Sequence, residues 1–232
     1  MPVFRLWYPL PINRVTQRME ENANTWYQEN GLKGHTSWDW HAHWGEPIPF
    51  CSDGVVYSVI NRNHPDPERY RAVCVLVDVG EYAYEVIYGH LNEIYAKPGD
   101  ISRPGTILGT AGNTGPVYAG GVLVTKEQKL AGSRDGTHLH GPQIRKCRKV
   151  RSPDGYLIYD GFGPYRDKDG FYYEILDYEN GLNGCIDPTP YWTGMYAKDA
   201  PKFISIYQTF VQGLTTFVQI ITLRQARSTY QP

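Results

Sequence analysis

Five side chains in this sequence have the types and spacing for metal chemistry: His35, Asp39, His90, His138 and His140. They fall in three short stretches, Gly34-His35-Thr36-Ser37-Trp38-Asp39, Tyr88-Gly89-His90-Leu91 and Gly136-Thr137-His138-Leu139-His140. Four imidazoles and a carboxylate are a fitting inventory for a catalytic zinc site, which takes three protein ligands and keeps one position for water. Zinc lowers the pKa of water from about 15.7 to about 7, making hydroxide available at neutral pH. The two imidazoles not used as ligands could move protons, because their unperturbed pKa is about 6.5. Each stretch alone is a weak signal. The His-x-His element is the strongest, since a strand would put both imidazoles on one face and Leu139 on the other. Spacing does not say which of His138 and His140 would bind metal. His41 and His43 form a second His-x-His and an alternative ligand source, though they read better as loop residues. His64, followed by Pro65-Asp66-Pro67, reads as a surface loop.

The elements that must position these residues read as β-structure. The 232 residues suffice for one large domain or one domain with an appendage. Tyr (19), Trp (6), Gly (24) and Pro (17) are abundant enough to favour a strand- and loop-rich fold. The 23 basic and 24 acidic residues nearly cancel, and no basic stripe with interleaved aromatics is present, so nucleic acid is not expected as a partner. Strands are expected at residues 55–60, 71–77 and 82–88. The last would put Tyr82, Tyr84, Val86 and Tyr88 on one face, with His90 joining them if the strand continues. A short helix is expected within residues 14–30, from Val15, Met19, Trp26 and Tyr27. Residues 116–135 read as an inserted loop or hairpin, and 141–200 as hairpins and loops. The four cysteines lack the close spacing of a zinc knuckle or redox pair. Free thiols are expected, and a Cys147–Cys185 bridge is the alternative. The N-terminus lacks the basic start, apolar run and cleavage site of a signal peptide.

Taken together and in order, these segments resemble the lysostaphin/LytM-type zinc metalloendopeptidases. The resemblance rests on Gly34-His35 to Asp39, Gly45-Glu46-Pro47-Ile48, Asp53-Gly54-Val55-Val56 and Tyr88-Gly89-His90-Leu91. It continues through Pro98-Gly99-Asp100-Ile101, Gly105-Thr106-Ile107-Leu108-Gly109, Gly112-Asn113-Thr114-Gly115 and Thr137-His138-Leu139-His140. It spans roughly residues 10–190. It implies a mainly β fold with an antiparallel sheet or sandwich-type metallopeptidase core, to which the residue pattern adds the short N-terminal helix and a C-terminal amphipathic helix. It implies zinc held by His35, Asp39 and His140, with His90 and His138 as catalytic imidazoles. It implies peptides of bacterial peptidoglycan as substrate, in the stem or the cross-bridge. Trp38, Tyr88 and Tyr118 are the expected substrate contacts. Three departures bear on the groove: Ser37 stands where the family usually has Gly, Gly141 where it has Phe, and the 116–135 insertion is long.

The C-terminal stretch differs from the rest. Residues 203–223 carry no charge, and Phe203, Tyr207, Phe210, Leu214, Phe217 and Ile221 form a helical apolar stripe. We therefore expect a peptidase domain at 1–200 and a helical appendage at 201–232, the stripe serving packing, self-association or membrane contact. The expected location is extracellular, at the cell wall or phage-associated. The competing function is a catalytically idle regulator or virion component that keeps the fold.

Overall fold

The computed structural model describes residues 3–22 and 25–200. Its centre is a nine-stranded sheet whose pairings are all antiparallel. Its main path runs through the strands Val15–Gln17, Asp39–His41, His138–Val150, Tyr82–Gly89, Ala72–Asp78, Gly54–Ile60 and Ile101–Ser102. Tyr172–Ile175 and Cys185–Ile186 pair with the far half of His138–Val150. A three-stranded sheet of Pro47–Pro49, Ile107–Ala111 and Leu91–Ile94 packs beside it. Leu6–Tyr8, expected as an extended lead-in, pairs in parallel with Trp192–Tyr196.

The strands form where the apolar runs predict them, and the pleat explains their burial. Tyr84, Val86 and Tyr88 face one apolar cluster with Trp38, Trp40 and Leu139. Ala83 and Ile87 face a second with Tyr57, Cys147 and Tyr173. The sheet is thus covered on both sides, and alternate side chains serve different cores. The strand stops at Gly89. His90 adopts φ +57°, so it leaves the period-two face on which its neighbours sit.

Several expectations change in extent. Among the described residues of the stretch at 14–30, only Thr25–Glu29 is α-helical, because Val15–Gln17 pairs with the Asp39–His41 strand. The strand carrying the two histidines runs 13 residues, into sequence read as loops. Its alternation is hidden by a register break between His140 and Gln143. Gly141 sits in that break at φ +141°, where a Cβ would stand 2.6 Å from the Ile87 carbonyl oxygen. The Phe that the family carries there does not fit. Residues 116–135 fold as a hairpin, Tyr118–Ala119 against Val122–Leu123, then a helix Lys126–Leu130 with a Thr125/Gln128 capping box. Lys129 of that helix is buried and donates to Glu68 and to the Gly115 carbonyl, both at 2.6 Å. All four cysteines are free and buried, and burial pushes their thiols up. The amphipathic stripe at 203–223 and the appendage at 201–232 lie outside the described residues.

Leu139 is fully buried between the two cavity-lining histidines and anchors them to the core. Leu139→Ala should lower unfolding free energy by about 2–5 kcal/mol, the usual range for a buried leucine. Urea denaturation at constant m-value measures this, and a loss under about 1 kcal/mol would contradict the packing described.

Candidate metal centre

The sheet register brings the five residues together. Asp39 lies directly across from His140, and His41 across from His138. On the other side, Gly89 pairs with His140, which sets His90 at the edge of the same patch. His35 arrives from the loop before Asp39, held by its own backbone N–H on the Glu21 carbonyl (3.2 Å).

Three donor atoms converge. His35 Nε2 is 3.1 Å from His140 Nδ1 and 3.3 Å from Asp39 Oδ1, and His140 Nδ1 is 3.0 Å from Asp39 Oδ1. A tetrahedral zinc with bonds of about 2.0–2.1 Å separates its ligand atoms by about 3.3–3.4 Å. The triangle is close to that size. His35 Nδ1 lies 3.3 Å from the Arg18 carbonyl, which can only accept, so that nitrogen carries the proton and Nε2 is bare. Two acceptors then face His140 Nδ1, which has at most one proton to share. A cation satisfies all three at once, so the residues fit zinc. His90, His138 and His140 form a second, looser group whose nitrogens lie within 4.8 Å of one another.

His90 and His138 are oriented alike. His90 Nδ1 is 2.6 Å from the Thr114 carbonyl oxygen, and His138 Nδ1 is 2.8 Å from that of Gly136. Each Nδ1 therefore donates, which in the neutral ring leaves Nε2 bare. His138 Nε2 is 3.5 Å from Asp39 Oδ2, and the His90 and His138 ring centres are 4.6 Å apart. The electrostatics follow from burial. Desolvation, then the neighbouring His138 and His140, lower the His90 pKa well below its ordinary value. Desolvation also lowers His140, against the opposing pull of Asp39. For Asp39, burial alone would raise the carboxyl. His138, His35 and hydrogen bonds from His140 and His35 outweigh it and hold the group well below the carboxylate range.

The centre opens into a cavity of about 830 Å³. Tyr27 and Leu32 line one wall, and Pro116, Val117 and Tyr118 of the insertion line the other. Among the described lining residues none is Lys or Arg. Tyr118 therefore stands where a substrate contact was expected. Trp38 and Tyr88 do not. Trp38 is 5% exposed, packed on Trp40 and Trp192, and its free edge faces a different hollow. Tyr88 is fully buried, its hydroxyl accepting from the Cys51 backbone N–H at 2.9 Å. Both are core residues because strand alternation turns them away from the histidines. His41 lines the cavity rim, exposed, with His43 beside it, and neither joins the converging donors. Tyr70 belongs to the site but had no motif to announce it, while the carbonyls of Thr114 and Gly136 join it from stretches that were singled out for other residues.

Residues 33–146 match the profile of peptidase family M23, and the chain belongs to that family through this stretch. Among solved structures it is similar to a mutant catalytic domain of the prophage-encoded M23 protein EnpA from Enterococcus faecalis, at 26% identity over 49% of this chain and 68% of that one (TM-score 0.33). It is similar to LytU at 24% identity over 57% and 73% (TM-score 0.35). The catalytic domain of the antimicrobial peptidase lysostaphin from Staphylococcus simulans aligns at 17% identity over 82% and 88% (TM-score 0.36). No curated protein matches the chain.

The lowered pKa values of His90 and His140 make metal-free stability pH-dependent. Both sit below the unfolded value of about 6.5, so the unfolded chain binds more protons in that range. Their contribution is complete above about pH 6.5 and is lost as pH falls through the lowered values, by up to about 1.4 kcal/mol per unit for each histidine. Chelator-treated protein should melt lower at pH 5.5 than at pH 7.5, and less steeply so in His90→Gln. Equal or higher melting at pH 5.5 would contradict this.

Proposed function

We propose that this peptidase is a zinc metalloendopeptidase that hydrolyses peptide bonds within bacterial peptidoglycan, in stem or cross-bridge peptides. The observation that carries the reading is the convergence of His35 Nε2, Asp39 Oδ1 and His140 Nδ1 beside two imidazoles with bare Nε2 atoms. In this reading His35, Asp39 and His140 hold zinc. When bound, zinc acts as a Lewis acid and makes water nucleophilic near neutral pH.

The chain's own residues do the rest. His138, with its Nδ1–H fixed on the Gly136 carbonyl, takes a proton at Nε2. That Nε2 stands 3.5 Å from Asp39 Oδ2. His90, fixed by Thr114, presents a second Nε2, its ring centre 4.6 Å from that of His138. It starts neutral, since burial disfavours its charged form. Once protonated, either imidazole can return the proton to the leaving amine. The groove walls, aromatic and apolar with Tyr118 on the insertion side, suit an extended peptide. The lack of a described lysine or arginine along the groove favours an internal bond over one next to a free terminal carboxylate, which would need a cationic partner.

We further propose that residues 1–200 carry this activity and that residues 201–232 form a separate appendage, for self-association or membrane contact. Peptidoglycan lies outside the cytoplasmic membrane. The site of action is then the cell wall, reached as an extracellular or phage-associated enzyme.

The roles separate experimentally. Asp39→Ala and His140→Ala should lose both zinc and activity, measured by metal analysis of the purified protein and release of peptides from purified peptidoglycan. His90→Ala and His138→Ala should keep zinc while the rate falls by about 10²–10⁴-fold, the range for a lost general acid or base. Chelation of the parent should stop release and zinc should restore it. Undiminished cleavage by Asp39→Ala and His140→Ala would overturn the reading.

A further inference from the structure

Lys129 sits in the helix Lys126–Leu130 of the 116–135 insertion, outside every motif stretch. Its side chain is 1% exposed, so the ammonium is out of water and has to be paired. It donates to two acceptors, Glu68 Oε1 and the Gly115 carbonyl, each at 2.6 Å. These acceptors lie on the two segments that enclose one peptide unit, that between Thr114 and Gly115. The Thr114 carbonyl of this unit accepts from His90 Nδ1 at 2.6 Å. Its other edge, the Gly115 N–H, donates to the Pro67 carbonyl at 2.8 Å. A trans peptide unit is planar, with C=O and N–H on opposite edges. Turning the plane would break both bonds together and take the carbonyl away from His90.

The plane is free to turn unless its neighbours prevent it. Gly115 has φ +75° and no Cβ, which makes this the most permissive point of the turn. The Thr114 hydroxyl secures one end, between Arg71 N and the Leu91 carbonyl. Lys129 secures the other, tying the Gly115 carbonyl to Glu68, the residue after Pro67. A second ion pair, Lys126 Nζ to Asp66 Oδ2 at 3.0 Å, seats the same helix on the same segment. Among the described residues the Thr114 carbonyl is the only hydrogen-bond partner of the His90 ring. Tyr70 adds packing but no hydrogen bond to it, its ring edge-on at 5.0 Å between centres and its hydroxyl against Gly89.

We propose that Lys129 is a positioning residue for the hydrolysis: through Gly115 and Thr114 it holds the His90 ring with Nε2 presented to the cavity. This rests on the peptidase reading above. Lys129 does not line the cavity, so it acts on the chemical step through His90 and leaves the groove walls as they are. Its loss therefore lowers kcat and spares KM.

Lys129→Met tests this, because it keeps the apolar stem and removes the donor. On purified peptidoglycan peptides, kcat should fall about 10-fold with KM within about two-fold of the parent and zinc per chain unchanged. The His90→Ala background separates positioning from general loosening. Adding Lys129→Met there should change kcat by less than about two-fold, since the group it acts through is gone. By NMR of the zinc-loaded protein, the His90 Nδ1–H proton, assigned by its loss in His90→Ala, should exchange with water faster in Lys129→Met. If the parent is active and Lys129→Met keeps kcat within about two-fold, or loses the same factor again in His90→Ala, the role of Lys129 is overturned and the peptidase stands. Should Lys129→Met fail to fold, Glu68→Ala leaves the buried ammonium without its counter-charge, and an unmoved His90 Nδ1–H resonance there overturns the role. A parent that releases no peptide overturns the peptidase reading and the role of Lys129 together.

Discussion

The site depends on one cross-strand register. His140 pairs with Asp39 on one side and with Gly89 on the other. Because side chains alternate, a one-residue slip of the His138–Val150 strand would turn both histidines into the core and bring Leu139 out. Three features hold the register. Leu139 is locked in the core. Beyond His140 the strand breaks step at Gly141, the only residue type that fits beneath the Ile87 carbonyl. The Gly141 N–H then bonds to the Trp38 carbonyl at 2.9 Å, tying the break back to the strand that carries Asp39. Trp38 and Trp40 serve the site from beneath, by filling the core under it.

A second constraint is electrostatic. Four imidazoles around a buried carboxylate are costly unless each ring has a defined proton. Backbone carbonyls supply that definition for three of them: Arg18 for His35, Thr114 for His90 and Gly136 for His138. These contacts fix which nitrogen faces inward before any metal or substrate arrives. The Thr114 turn is in turn clamped. The Thr114 hydroxyl bridges Arg71 N and the Leu91 carbonyl, and Lys129 of the insertion holds the Gly115 carbonyl. The insertion thus builds a groove wall and braces the turn that orients His90.

Much of this was legible in the sequence. The β-rich class, the three strands through residues 55–88, the separate face of Leu139 and the grouping of the five residues all follow from pattern and motif. What was hidden has physical causes. The left-handed turn at His90 breaks the alternation that was extended through it. The break at Gly141 masked the rest of a long strand. Trp38 and Tyr88 looked like groove aromatics by proximity in sequence, but alternation sends the residue next to a ligand to the other side of the sheet. Tyr70 carries no motif, because a loop delivers it and only the fold places it on Gly89.

Zinc K-edge X-ray absorption of the zinc-loaded protein tests the convergence of His35, Asp39 and His140 most directly. The donor triangle predicts a four-coordinate nitrogen and oxygen shell at about 2.0–2.1 Å, with outer-shell scattering from two imidazoles. Asp39→Ala should abolish that shell. A sulfur shell at about 2.3 Å, or a six-coordinate shell without imidazole scattering, would contradict it.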